Sequence, residues 1–525
     1  MSSAESSRFR LTDQRVLAKV GELQKEFPVA AVHRRAFQLL GSDFSYASRN
    51  SDGTWLVLVH FGQSMQGAFG FTRDIALVYM SHMDLQTRDF KRLPQRLHGI
   101  KGDREAEDHL FLVASKDVRA VRKLDKWSED AEFTAVALPS GGDERTVAEA
   151  IRESIQMRLA TRNLYDERDP VTGKDFFGRK QLLAQLVEEL RQGNVCGIFG
   201  LRKTGKTSVI TELGKRFTGE NSDKRIFILL DLESLPSDSG LVAGRFVKIV
   251  RDLFLDELRL RRLRTHELQG IGDNADLGQL QRALQTSLRN CRENSTQVVL
   301  ALDEVESLVG DADDIRRGAR TFVPEVLGVI RALVQQNENF SVIFSGITSA
   351  LIEKGYLYGR ENPLFSWAKS YYIPPMSKPE ITDLTKEVGR RMYLNWSTAA
   401  LDRMYEVSEG NVYVQRTLAA QIAGSLDDGG DRNIGVEHVN RGFRVWTRES
   451  SQIMTEMLAS ARRHYPDELE MLELFFGDRA TFDYFASSVP SDLSRLIDLT
   501  LIDEDPEGAL RPGALARLLR GVKAL

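Results

Sequence analysis

Apolar and polar positions along the chain fall into two regimes. In the first 165 residues, short apolar stretches ("TWLVLVHFG", "IALVYM", "HLFLVAS", "FTAVALP") alternate with charged stretches of helical period ("TRDFKRLPQRLHG", "VRAVRKLDKWSED"). That alternation predicts a small mixed α/β domain, closed by a long helix over "TVAEAIRESIQMRLATRNLY". The polar "DERDPVTGKD" follows and has the composition of a linker, over residues 166–176. From residue 177 to 375 the apolar runs become continuous: "VCGIF", "RIFILLDL", "QVVLALD" and "FSVIFSG", with helical patterns between them. Strands apolar on both faces belong to a parallel sheet covered by helices on both sides. Residues 376–444 read as helical, with a capping box at "SKPE" and two helices hinged at Glu409, Gly410 and Asn411. Residues 445–525 end in helix, strand, a tight turn at Asp505–Gly508, strand and helix, the order of a winged helix.

The loop between the first continuous strand and its helix carries the clearest chemistry. It reads Gly200, Leu201, Arg202, Lys203, Thr204, Gly205, Lys206, Thr207, Ser208, a glycine followed four residues later by Gly-Lys-Thr. This is the spacing of a phosphate-binding P-loop, with the buried strand before it and the helix N-terminus after it that such a loop requires. Gly200 permits the turn out of the strand, and Gly205 lets the backbone approach the phosphates. Lys206 neutralises β- and γ-phosphate charge, and the Thr207 hydroxyl is a Mg²⁺ ligand. About a hundred residues on, "QVVLALDEVESL" ends an apolar strand in two acids. Asp303 there is the candidate for holding Mg²⁺ through water, and Glu304 for activating the attacking water. An intact Glu304 favours hydrolysis over passive holding. Ser345 or Thr348, ending "FSVIFSGIT", is a candidate γ-phosphate reporter, and Asp231 reads as a strand-end acid.

The ordered set "FFGRKQLLAQL", "GIFGLRKTGKTSVI", "VVLALDEVESL", "NPLFSWAKSYYIPPMS" and "EGNVYVQRTLAAQI" resembles the archaeal-type ATPases of the STAND and origin-recognition-like branch of the AAA+ proteins. The resemblance covers about half the chain. It implies a P-loop NTPase fold with a five-stranded parallel core, a helical lid and a winged helix, with ATP and Mg²⁺ as cofactors. It also implies a nucleotide-driven change of assembly state, in signalling, defence or DNA transactions. Carried over residue by residue, Phe177, Gly178 and Arg179 match the motif that packs near adenine, and residues 410–415 match the lid helix. Arg416 is then a candidate sensor of the γ-phosphate. After "NPLF" the family often carries an arginine that reaches a neighbouring subunit's nucleotide. This chain has "SWAKS" there, leaving Arg360 or Arg320 as substitutes and implying slow hydrolysis without a partner.

Composition narrows the partners. The 525 residues carry a net charge of −4, so polyanion binding would need a local basic patch. Two candidates exist: Arg251, Arg259, Arg261, Arg262 and Arg264 on a predicted helix, and Arg316, Arg317 and Arg320 in a predicted loop. From residue 451 onward 8 Lys+Arg face 13 Asp+Glu, which makes the expected winged helix a poor DNA reader and a better protein contact. Homo-oligomerisation with a protein partner is the expectation, with a DNA-dependent ATPase or loader as the alternative. A third reading makes the first domain a nuclease effector of restriction-endonuclease-like fold. It lacks the acid-x-lysine pair such a site needs, and Asp43, Asp52 and His60 read as turn and strand residues. The two cysteines, Cys196 and Cys291, have no zinc spacing and suit a reducing compartment. With no membrane-length apolar run and no signal-peptide pattern at the N-terminus, a cytoplasmic protein is expected.

Overall fold

The computed structural model describes residues 14–63, 65–66, 73–97, 100, 106–129, 131, 133–160, 163–166, 170–219, 224–235, 239–272, 275–426 and 432–521. The N-terminal stretch read for a targeting signal and part of the linker, residues 167–169, lie outside them. Two compact units divide the chain. The first takes residues 1–166, 385–401 and 419–439, and the second takes 167–384, 402–418 and 440–525.

In the first unit, helices α1 (Gln14–Glu26) and α2 (Val29–Leu39) precede strands β1 (Asp43–Arg49), β2 (Trp55–His60) and β3 (Asp74–Met80). Strand β4 (Ala106–Ser115), helix α3 (Ala120–Glu129), strand β5 (Thr134–Ala137) and helix α4 (Glu144–Ala160) follow. The sheet runs in sequence order, β1 to β5. The first two pairings are antiparallel and the last two parallel. Alternation explains why β2 is apolar throughout. Trp55, Val57 and Val59 enter the core under α1, α2 and α4, while Leu56 and Leu58 enter the opposite core with Phe90, Leu93 and Leu124. The sequence reading missed β1 because "DFSYASR" is polar at alternate positions and half-exposed, as befits an edge.

Three residues weighed for a nuclease site have structural partners here. Asp43 accepts from Arg34 (2.8 Å) and Gln38 (3.1 Å). Asp52 holds a turn through Thr54 (2.6 Å) and pairs with Arg96 (2.9 Å). His60 Nδ1 lies 2.8 Å from Asp74, an acid on the next strand that the sequence reading passed over. Among the described residues no group of three or more His, Cys, Asp or Glu is placed to hold a metal ion. The same unit contains outer parts of the predicted lid: Tyr165 donates to the Thr385 carbonyl (2.6 Å) and meets the Trp396 ring edge-on.

In the second unit, strands β6 (Val195–Phe199), β7 (Arg225–Asp231), β8 (Gln297–Asp303), β9 (Phe340–Gly346) and β10 (Lys369–Tyr372) form a sheet in the order β10-β6-β9-β8-β7. Every pairing is parallel, as expected for a P-loop NTPase. Helices α5 (Lys180–Arg191), α6 (Lys206–Thr218), α7 (Ser239–Leu260), α8 (Leu277–Glu293) and α9 (Val323–Gln336) connect it. One face packs Phe199, Ile228, Leu300 and Phe344 with helices α7 to α9, and the other packs Ile198, Val299 and Ile343 with α5 and α6. Strand β10, "KSYY", is exposed or half-buried, and its lysine and tyrosines hid it from a search for apolar runs. Arg261 to Arg264 lie beyond the end of α7, and Arg316 and Arg317 end a short capped helix (Ala312–Arg317) where a loop was expected.

Helices α10 (Lys378–Arg391), α11 (Thr398–Ser408) and α12 (Val412–Gly424) follow the sheet. Between α11 and α12, Glu409 (φ 45°) and Gly410 (φ 81°) form the expected hinge. Helix α13 (Val436–Glu449) runs through residues 444 and 445, where the sequence reading placed a boundary. After it come α14 (Ser451–His464), α15 (Pro466–Gly477), α16 (Arg479–Ser488), α17 (Pro490–Asp498), a hairpin of β11 (Ile502–Glu504) and β12 (Leu510–Pro512), and α18 (Ala514–Gly521). Asp505 closes the hairpin turn by accepting from the backbone of Glu507 (3.0 Å) and Ala509 (2.8 Å). No helix among the described residues is long and apolar enough to cross a membrane.

Leu300, at the centre of β8, is 3 % exposed. Leu300→Ala is expected to destabilise the second unit by about 2–5 kcal/mol, measured as a lower urea midpoint, while Leu229→Ala, on the more exposed β7, changes it far less.

Candidate functional site

The site forms where the sheet's central strands end. Strand β6 delivers the loop 200–205, and α6 begins at Lys206 with its N-terminal N–H groups facing that loop. Gly205 (φ 86°) is left-handed, and a Cβ there would come 2.9 Å from Arg179 Nη1. Gly200 needs room rather than an unusual φ, since a Cβ would stand 3.1 Å from Thr204 Oγ1. Leu201 is buried, Arg202 and Lys203 are exposed, and Lys203 is also left-handed (φ 65°). Thr204 ties the loop by donating to the Leu201 carbonyl (2.8 Å). Ser208 accepts from the Val171 backbone (3.2 Å), anchoring the preceding linker on α6.

Lys206 is buried and donates to the Gly200 and Leu201 carbonyls, each at 3.1 Å. Burial lowers its pKa, and Glu306, Glu304 and Asp303 oppose that shift. Asp303, 3 % exposed at the end of β8, has its pKa raised by burial, while the Ser345 and Thr207 hydroxyls work against the rise. Ser345 Oγ is fully buried without a hydrogen bond of good geometry, so it remains a donor for a ligand. Glu304 is left-handed (φ 53°), and burial, then the neighbouring Glu306 carboxyl, push its pKa up. A raised pKa suits a group that must take a proton from water. Thr207, Asp303 and Ser345 thus supply oxygens beside the lysine, a donor set that fits Mg²⁺, whose remaining ligands come from phosphate and water. Thr348 accepts from the Ala350 backbone (3.3 Å), and Asp231 caps a short helix through the Glu233 N–H (2.9 Å).

Glu306 was missed by sequence reading. Its Oε2 accepts from the Ile347 backbone (3.0 Å), tying the end of β8 to the turn after β9, and its Oε1 is buried without a partner. Gly346 makes room for it, as a Cβ there would lie 2.3 Å from Glu306 Oε2. The only signal was the third acid of "DEVE".

The motif at residues 177–179 also reaches the loop. Phe177 is half-buried, and Gly178 (φ 71°) leaves space for the Glu380 carboxyl. Arg179 (φ 55°) donates its backbone N–H to Glu380 (2.8 Å) and its Nη2 to the Thr204 carbonyl (2.7 Å). Burial lowers its pKa to about 10, which leaves it charged. The arginine candidates are placed differently. Arg416 donates to the Asp175 carbonyl (3.4 Å), beside the linker. Arg360 is half-exposed on a small hairpin and pairs with Glu325 (2.8 Å). Arg320 is drawn inward, donating to the Leu308 carbonyl (3.0 Å) and lying 3.5 Å from Asp314. Of the basic stretches, Arg251 is buried and donates to the Ile271 carbonyl (3.1 Å), and Arg261 pairs with Glu257. Arg259, Arg262, Arg264, Arg316 and Arg317 are exposed. Cys196 and Cys291 are buried thiols whose pKa values burial raises.

Residues 176–416 match the family described as "ATPase domain predominantly from Archaea". No curated protein matches the chain. Among solved structures, the Walker-type ATPase PABY2304 of Pyrococcus abyssi superposes with a TM-score of 0.49 at 16% identity, over 68% of this chain and 99% of that one. The Aeropyrum pernix ORC2 protein in ADPNP–ADP complexes gives 0.40 at 15% identity, over 69% and 96%. The Thermotoga maritima RuvB Holliday junction branch migration motor gives 0.30 at 12%, over 66% and 95%. The match falls on the very segment that carries Lys206, Thr207, Asp303 and Glu304, which is thus similar to an archaeal-type ATPase domain, and the protein is an ATP-hydrolysing enzyme.

Proposed function

We propose that the protein is a regulatory switch in which the nucleotide state of the P-loop site sets the position of the C-terminal helices. One observation carries this reading. Tyr465, between α14 and α15, donates to the Ile347 carbonyl (2.7 Å) and accepts from the Ser349 backbone (3.2 Å). These residues directly follow Ser345 and Gly346 and include the turn that Glu306 holds. A γ-phosphate that draws on Ser345 or Glu304 therefore pulls on a segment bonded to the C-terminal helices. Arg495 on α17 reinforces the connection through Glu353 and Tyr372.

The site would bind ATP through Gly200–Ser208 and Mg²⁺ through Thr207 and Asp303, with Glu304 as the general base. Hydrolysis would be slow alone, because a trans-acting arginine is missing after "NPLF" and Arg360 is engaged with Glu325. Nucleotide state would then govern homo-oligomerisation and contact with a protein partner. Bacterial signalling or antiviral defence is the setting that the STAND-like motif order suggests. The DNA-dependent reading rests on the five exposed arginines of the two basic stretches; Arg251, Arg261 and Arg320 are taken up internally and weaken it.

Lys206→Ala is expected to weaken ATP binding by about 10- to 100-fold or more, the value of a charge-assisted contact. Glu304→Gln should keep binding and lower the hydrolysis rate by about 100- to 10,000-fold. Calorimetry and phosphate release distinguish the two. Mass in solution should change between ADP and a non-hydrolysable ATP analogue, and DNA should leave it unaltered. Tyr465→Phe removes both bridging hydrogen bonds and should uncouple the mass change while leaving hydrolysis within about threefold. A mass independent of nucleotide would refute the switch.

A further inference from the structure

The first unit holds a cavity of its own. It opens where three parallel strands end: Met80 closes β3, Ala114 and Ser115 close β4, and Leu138 follows β5. The joint between α1 and α2, Glu26 to Val29, supplies a further wall. Crevices at the carboxyl ends of parallel strands are frequent ligand sites in α/β folds. All the lining residues belong to the first unit. The cavity measures about 170 Å³. An apolar cavity of roughly 150 Å³ already holds a benzene ring.

Most polar groups of the wall are already engaged. His33 is fully buried, and its Nε2 lies 2.8 Å from the Pro139 carbonyl. That nitrogen therefore carries the proton, which leaves Nδ1 to accept from the Tyr79 hydroxyl (3.1 Å). Burial lowers the His33 pKa, so the imidazole stays neutral. The Glu26 carboxylate accepts from Trp55 Nε1 (2.8 Å) and Arg49 Nη2 (3.2 Å), and the Arg49 charge offsets its own. Ser115 donates to the His82 carbonyl (3.1 Å). Lys116 and Ser140 differ. Both line the cavity and are exposed, and neither side chain makes a hydrogen bond or ion pair among the described residues.

We infer that this cavity binds a small acid built on one ring. The ring lies against Phe27, Val29, His33 and Met80, and the anionic group stays at the exposed edge with Lys116 and the Ser140 hydroxyl. A neutral interior without a free donor rejects an ionised group, so the charge must remain outside. Lys116, the one cation among the lining residues, sets the sign of that charge. A cationic ligand would be repelled by Lys116 and would find Glu26 already neutralised by Arg49. The first unit thereby has a ligand separate from the nucleotide, whatever the P-loop site does.

Phenylacetate, phenylacetamide and phenethylamine share a ring and differ in charge, which makes them the probes. Each is titrated into the full chain labelled at its methionine methyl groups. Met80 reports from the cavity wall, and its resonance is assigned by its loss in Met80→Leu. Phenylacetate should shift that resonance and bind about three- to tenfold more tightly than phenylacetamide, with phenethylamine weakest. Added salt should shrink the difference. In Lys116→Ala, phenylacetate should fall to the level of phenylacetamide, whose own affinity stays unchanged; Lys116 is exposed, so the variant should fold. Val29→Phe, at a half-buried wall position, should fill the cavity and weaken all three probes, with the urea midpoint as the control for folding. A Met80 resonance unmoved by phenylacetate would overturn the inference. So would a preference for the acid that survives Lys116→Ala, or undiminished binding in folded Val29→Phe.

Discussion

A buried ammonium organises the second unit. Lys206 has left water, and only two loop carbonyls and the field of Asp303, Glu304 and Glu306 compensate it. Desolvating a lysine without such partners would neutralise it. The loop must therefore keep its curl, which needs Gly205 left-handed and Gly200 without a side chain. The strands must also end in register, so that the acids of β8 arrive beside the loop that follows β6. Strand β9 lies between them and adds Ser345 to the same spot.

The surrounding carboxylates are the counterpart of that lysine. Burial pushes the Asp303 and Glu304 pKa values up, a shift that a bound cation would oppose. Glu304 adds a left-handed backbone, a conformation that costs on the order of 1 kcal/mol and persists only where neighbours enforce it. Glu306 is one such neighbour, joined to the turn after β9. Tyr465 extends the same turn to the C-terminal helices, so charge at one end and packing at the other meet on three residues, Ile347 to Ser349.

Much of this was legible along the chain. The P-loop, the acid pair and four of the five parallel strands stand out because a strand buried on both faces must be apolar at every position. The lid hinge is visible as Glu409-Gly410, and the closing hairpin as an Asp-Pro-Glu-Gly turn. Edge strands β1 and β10 were not, since one exposed side admits Ser, Lys and Tyr and erases the apolar run. The basic stretches misled for a related reason. Charge in the sequence says nothing of direction, and Arg251, Arg261 and Arg320 turn inward to acids and carbonyls.

By itself the sequence determined the parallel-sheet class and the placing of Lys206, Thr207, Asp303 and Glu304 at the ends of strands, because spacing along a strand–loop–helix unit is local. Only the tertiary structure decided what surrounds them. Glu306, Tyr465 and Arg179 come from separate segments, up to hundreds of residues apart. Their role depends on which polar atoms are left buried or unpaired when those segments pack together, and a linear pattern does not carry that information.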